Sequence, residues 1–173
     1  RIPEGFRLAY IGVYYMYRDY LFYGLTVCAL TITPLIVSAD IFVSGLNALD
    51  RTHYASAYRS FKPFADEGIA EAQNNIGFLY QNGFGVKRNY NTAIKWYQRA
   101  ADQGLAEAEH NLGVLNYWGW GVSQNFGIAR RWFNKSAEKG LKESHYMIGL
   151  MFFKGEGTQA SLPRASAHFF EAA

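Results

Sequence analysis

From residue 69 onward the apolar positions recur with the period of a helix, not in strict alternation. Ala72, Ile76, Leu79 and Tyr80 stand at i, i+4, i+7 and i+8, and Ala93, Trp96, Tyr97, Ala100 and Ala101 at i, i+3, i+4, i+7 and i+8. Each set lines one face of an amphipathic helix. Between them the stretch from Asn82 to Asn89 carries turn residues: Gly83 and Gly85 tolerate the positive φ that ends a helix, and Asn89 can accept the free amides that start the next. The pattern predicts two helices folded into a hairpin. It then returns. Gly68, Gly104 and Gly140 are 36 residues apart, and sliding Ile69 to Gly104 onto Leu105 to Gly140 without a gap gives 14 identities in 36 positions. A third copy keeps Gly149, Gly155, Gly157, Ala165 and Ala173 in register, with Asn125 and Ser161 at the capping position of the later copies and Pro163 in a first helical turn. Helix pairs repeating at this interval predict an all-α solenoid of stacked antiparallel hairpins. The third copy stops short of a full period, so the array is expected to continue beyond residue 173. Gly77, Gly113 and Gly149, facing Ala93, Ala129 and Ala165, are expected to let paired helices approach closely, and Pro63 is expected to kink the helix it occupies.

The run A-x-A-Q-x-x-I-G-x-x-Y-x-x-G-x-G-V, followed by N-Y-x-x-A-x-x-W-Y-x-x-A-A-x-x-G and ending at Gly104, resembles the Sel1-like repeat, a relative of the tetratricopeptide repeat. The resemblance divides the chain into repeats at 68–104, 105–140 and 141–173. Residues 40–67 resemble a shorter tetratricopeptide-like hairpin that leads such arrays, with Phe42, Gly45, Ala48, Tyr54, Ala57, Phe61 and Ala65 in place. Asn116 stands where the first helix of the motif has tyrosine, His168 where the second has tryptophan, and the aspartate cap is Asn89, Asn125 or Ser161. No cysteine falls in the repeats, which places the chain with the cysteine-free sort. The resemblance implies a non-catalytic interaction scaffold with a protein or peptide partner and no cofactor. The alternative is an exported cell-wall-related or β-lactam-binding activity of hydrolase type, and a third class is structural self-assembly.

The amino-terminal part reads differently. Leu21 to Val37 is a run of 17 residues without a charge, followed by Val37-Ser38-Ala39, a small-x-small signal. Residues 16–39 therefore fit a secretory leader that starts at Met16 and is cleaved after Ala39, and residues 1–15 an extension upstream of it. The same run could serve as an uncleaved membrane anchor over residues 21–37. Export to the periplasm or medium is the expectation, with contact to a membrane only through this segment. The single cysteine, Cys28, cannot form an internal disulfide.

Composition narrows the function. Half of the 173 residues are hydrophobic, 17% are aromatic, and the formal charge is only +3. That charge is far from the clustered basic stripe that phosphate backbones need, so nucleic acid is not an expected partner. Lys87, Arg88, Lys95 and Arg99, then Arg130, Arg131, Lys135 and Lys139, read as a solvated outer face of the second helices. No nucleophile, phosphate loop or zinc spacing accompanies Glu109, His110 and His145, whose clustering alone would suggest a metal, and no metal is expected. Trp118 and Trp120 either staple one repeat to the next or stand exposed to bind. Ser136, within the sequon that starts at Asn134, sits at a core alanine position, which argues against glycosylation there. In a hairpin solenoid the first helices line the concave side. The first-helix residues outside the core stripe are then the expected partner surface: Gln73, Asn74 and Phe78, then Glu109, His110, Asn111 and Val114, then His145, Tyr146 and Met147.

Overall fold

The computed structural model of the chain describes residues 29–173, with side chains from Asp40 onward. Residues 1–28, and with them most of the expected leader, lie outside the described residues. Eight helices follow one another: α1 (Ala29–Asp50), α2 (Tyr54–Asp66), α3 (Ala70–Asn82), α4 (Tyr90–Asp102), α5 (Ala106–Trp118), α6 (Phe126–Glu138), α7 (Lys142–Lys154) and α8 (Leu162–Glu171). Among the described residues there is no strand. The helices pair as four hairpins, and each packs on the one before and the one after it in sequence, as stacked units of an α-solenoid do. α1 runs without a break across the junction of Ala39 and Asp40. Among the described residues no helix is long and apolar enough to cross a membrane.

The turns follow from backbone chemistry. α3, α5 and α7 end on Gly83, Gly119 and Gly155, whose φ values of 72, 72 and 74° are left-handed and open to glycine at little steric cost. Thr92 N–H donates to Asn89 Oδ1 at 3.0 Å and Ile128 N–H to Asn125 Oδ1 at 2.9 Å, so both asparagines cap as their position predicts. Ser161 makes no such bond. There Pro163 occupies the first turn, and the cap contributes geometry without a side-chain acceptor.

Three linked clusters form the core. Phe42, Phe61, Ile76 and Leu79 join the leading hairpin to the first repeat, Tyr97, Leu112 and Leu115 join the first repeat to the second, and Phe133, Ile148 and Met151 join the second to the third. The helix glycines meet larger groups than expected. A Cβ on Gly77 would lie 2.7 Å from the Tyr97 ring, one on Gly113 2.6 Å from Phe133, and one on Gly149 2.6 Å from Phe169. An aromatic ring, not an alanine, fills the space each glycine leaves, because the alanine stripe on the second helix packs beside the glycine while the residue four positions later lies over it. Trp96 is buried, but Trp132, its equivalent one repeat on, is only half-buried. Both are covered by cations, with Arg99 4.7 Å from the Trp96 ring and Lys135 4.7 Å from that of Trp132. α2 continues helical through Pro63 to Asp66, although the proline has no N–H to donate to Arg59 O one turn back.

Candidate functional site

The ten residues expected to face a partner separate into three groups. Gln73 and Glu109 are buried, at 5% and 4% exposure, and serve the scaffold. Gln73 Nε2 donates to Ala65 O at 3.2 Å, while its Oε1 accepts from Gln103 Nε2 at 2.9 Å, and Gln103 also donates to Gly68 O. One repeat later Lys139 Nζ donates to Glu109 Oε1 at 2.7 Å and to Gly104 O at 2.9 Å. The same joint is built once from amides and once from an ion pair. These two positions are therefore withdrawn from the partner surface. They tie the start of a first helix to the end of its own second helix, a contact that spans 30 residues and leaves no trace in the helical stripe.

The second group bridges neighbouring first helices. Asn111 Nδ2 donates to Asn74 Oδ1 at 2.9 Å, linking α3 to α5. His110 Nδ1 lies 2.8 Å from Ser144 Oγ, linking α5 to α7. Ser144 donates to Ser136 Oγ at 2.8 Å, and Ser136 donates to Ala106 O at 2.8 Å. Both hydroxyl protons are thus committed, so His110 must carry its proton on Nδ1 and donate it. Burial holds His110 below the ordinary histidine pKa, with Glu143 opposing. Both serines are fully buried, so this histidine–serine contact is packing chemistry with no nucleophile open to a substrate. His145 turns to the second helix of its own hairpin, its Nδ1 3.2 Å from that of His168. Burial, and then His145 itself, hold His168 below the ordinary value. Glu109, His110 and His145 therefore go to three different partners. Among the described residues no group of three acidic, histidine or cysteine side chains could hold a metal ion.

The third group is open. Phe78 and Tyr146 are 38% and 51% exposed. Val114 and Met147 lie half-buried against the second-third repeat core. The side-by-side first helices thus present a strip of amide, imidazole and apolar groups that ends in two exposed rings.

A second feature was only half legible. Trp120 stacks on Tyr90 of the preceding hairpin, centroids 5.7 Å apart at 20°, and Trp118 stacks on Trp120 at 6.1 Å and 21°. Tyr117 closes the column edge-on at 4.9 Å. One repeat earlier Phe84 stacks on Tyr54 at 4.1 Å and 9°. The loop aromatic is thus a staple, and Trp118, 54% exposed, is the ring left free. Glu156 takes the equivalent position in the third repeat and accepts from Tyr117, whose hydroxyl is pushed up to about 12 by burial and this bond.

Charge divides by edge. Where first helices end and second helices begin, Arg51, Lys87, Arg88, Lys154 and Arg164 stand exposed against Asp50 and Glu156. At the opposite edge the second helices end in Asp66, Glu67, Asp102, Glu138 and Glu171, and the first helices start with Glu71, Glu107 and Glu143. Lys62, Arg99, Lys135, Lys139 and Lys142 are the cations beside them, Lys62 paired with Asp66 and Lys139 tied as described. Lys87 and Arg88 belong to a loop and not to the outer face of the second helix, and Arg88 lies 5.6 Å from the Tyr90 ring.

Stacked hairpins with this internal repeat define an α-solenoid of tetratricopeptide type. The Sel1 repeat model matches residues 70–105, 106–141 and 142–173, and the chain belongs to the Sel1 repeat family. A Sel1 repeat protein from Oxalobacter formigenes is 32% identical over 76% of this chain and 54% of its own, with a TM-score of 0.69. A protective antigen present in uropathogenic Escherichia coli strains, displaying the same repeat fold, is 29% identical over 78% of this chain and 30% of its own, with a TM-score of 0.70. The chain thus spans about half and under a third of the lengths of these proteins. No curated protein matches it. Sel1 repeat proteins generally serve as protein-interaction scaffolds.

Proposed function

We propose that this protein is a non-catalytic scaffold, exported or membrane-anchored through its amino-terminal segment, that binds a protein or peptide partner on the strip formed by α3, α5 and α7. The observation that carries this is the Asn74–Asn111 bond between adjacent first helices. With the His110–Ser144 contact it joins the first helices of separate repeats, on which Phe78 and Tyr146 stand partly exposed. Exposed rings beside amides are the groups that recognise peptides adaptably. Export rests on the apolar run from Leu21 to Val37 and the small-x-small triplet after it. Cleavage after Ala39 would shorten α1 to residues 40–50, which keep the buried Phe42 and Leu46.

Replacing Phe78 and Tyr146 together by serine tests the binding reading. Phe78 meets Phe84 edge-on and Tyr146 lies against Phe169, so Tm should fall modestly while far-UV dichroism holds and capture of partners from an envelope extract is lost. Undiminished capture would remove the first-helix strip from consideration. Mass spectrometry of the product decides the processing: a mature start at Asp40 fits the leader, and an intact Leu21 to Val37 on a membrane-bound product fits the anchor.

A further inference from the structure

The loop edge carries chemistry that the first-helix strip does not use. Trp118 extends a column of rings beyond what stapling requires, because Trp120 alone makes the contact with Tyr90. Arg88 lies over the far ring of that column, and Lys154 stands at the position of Trp118 one repeat on. The single carboxylate in these loops, Glu156, is engaged by Tyr117 and lies 3.9 Å from Lys154. We infer that this edge docks an acidic, proline-containing extended segment of a partner protein.

Two observations select that chemistry. The exposed charge beside the rings is cationic, so it favours an acidic partner and repels a basic one. The loop is folded back on its helix: Trp120 N–H donates to Leu115 O at 2.9 Å, Asn125 N–H to Asn116 O at 2.9 Å, and Gln124 Nε2 to Tyr117 O at 2.8 Å. With Gly119 and Gly121 both in the left-handed conformation the loop is a tight turn and offers no extended edge for strand addition. What remains on offer is ring surface and positive charge. A polyproline II segment matches this, since it needs no backbone partners, is extended before it binds, and lays flat pyrrolidine faces on indole.

The inference stands apart from the first-helix strip, since its test leaves Phe78 and Tyr146 untouched. Calorimetric titration of the full chain with a synthetic peptide of alternating glutamate and proline, about 12 residues long to span about 37 Å of polyproline II, should show saturable binding. Trp118→Ala should weaken it about tenfold, with Trp118→Phe restoring part of the loss, and Arg88→Gln should weaken it as well. Raising salt from about 50 to about 300 mM should weaken binding too. Trp118 is half-exposed, so the helical spectrum of its variants should match the parent. Equal binding of an alternating lysine–proline peptide, or binding indifferent to Trp118→Ala, overturns the inference. So does a chain that ignores the peptide but forms concentration-dependent oligomers that Trp118→Ala dissolves, because that outcome gives the edge to the acidic rim of a second copy.

Discussion

Gln73 and Glu109 occupy equivalent positions one repeat apart, as do Gln103 and Lys139, and the two joints they form differ in charge but not in route. The ionic version is the more exposed to damage, because Glu109 Oε2 is buried with no partner among the described residues. Lys139→Met should cost about 2 kcal/mol, less than a fully buried pair would, since the lysine is 39% exposed. Combining Glu109→Gln with Lys139→Gln rebuilds the neutral joint of the first repeat and should return to within about 1 kcal/mol of the parent in urea unfolding. The histidines give a pH dependence. Burial lowers the folded-state pKa of both His110 and His168 from 6.5, so the unfolded chain binds protons first as pH falls. Their contribution to stability is complete above about pH 6.5 and is lost progressively below it. The urea midpoint should therefore fall between about pH 7 and pH 5, and His110→Asn, which places there the residue found at Asn74, should flatten that fall. A midpoint slope unchanged by His110→Asn would mean that His110 binds protons equally in the folded and unfolded chain, contrary to the lowering by burial.

Each hairpin closes by setting a ring into the notch of a glycine, and the pairs Gly77–Tyr97, Gly113–Phe133 and Gly149–Phe169 recur at the same register. Gly113→Ala should thus lower Tm despite the better helix propensity of alanine, because overpacking by about 1–3 kcal/mol exceeds a propensity gain of about 1. Gly127→Ala, in a helix with only ordinary contacts at that point, should leave Tm level or raise it. The tryptophans should separate in the same way: Trp96→Ala should cost about 3–5 kcal/mol and Trp132→Ala about half of that, following their burial. Equal losses at the two positions would contradict the packing described. The helices, their hairpin pairing and the asparagine caps were all legible in the sequence, because stripes and turn residues are local and repeat three times. The joints at Gln73 and Glu109 were not, because their partners lie 30 residues away at the far end of the hairpin. The Ser136–Ser144 pair shows the same limit. It replaces Ala100 and Ala108 of the preceding interface; Ser136 falls on the core stripe in the sequence, but its bond to Ser144 is not visible there. Trp118 and Trp120 looked alike in sequence, and only stacking on Tyr90 separates the staple from the free ring.

Over the whole molecule these units leave three distinct surfaces. The first helices form a strip bridged by asparagine and histidine contacts, the loop edge is aromatic and cationic, and the opposite edge is acidic. In a solenoid each repeat is held by its neighbours, so a partner that spans two or more first helices also stiffens the interfaces between them. Hydroxyl-radical footprinting of the chain, free and with its captured partner, reads that face directly, because phenylalanine, tyrosine, methionine and tryptophan are all oxidisable. The account predicts that the partner protects Phe78, Met147 and Tyr146 while Trp132 on the second-helix side keeps its reactivity. Protection of Trp132 with Phe78 and Tyr146 unchanged would contradict it and move the binding surface to the second helices.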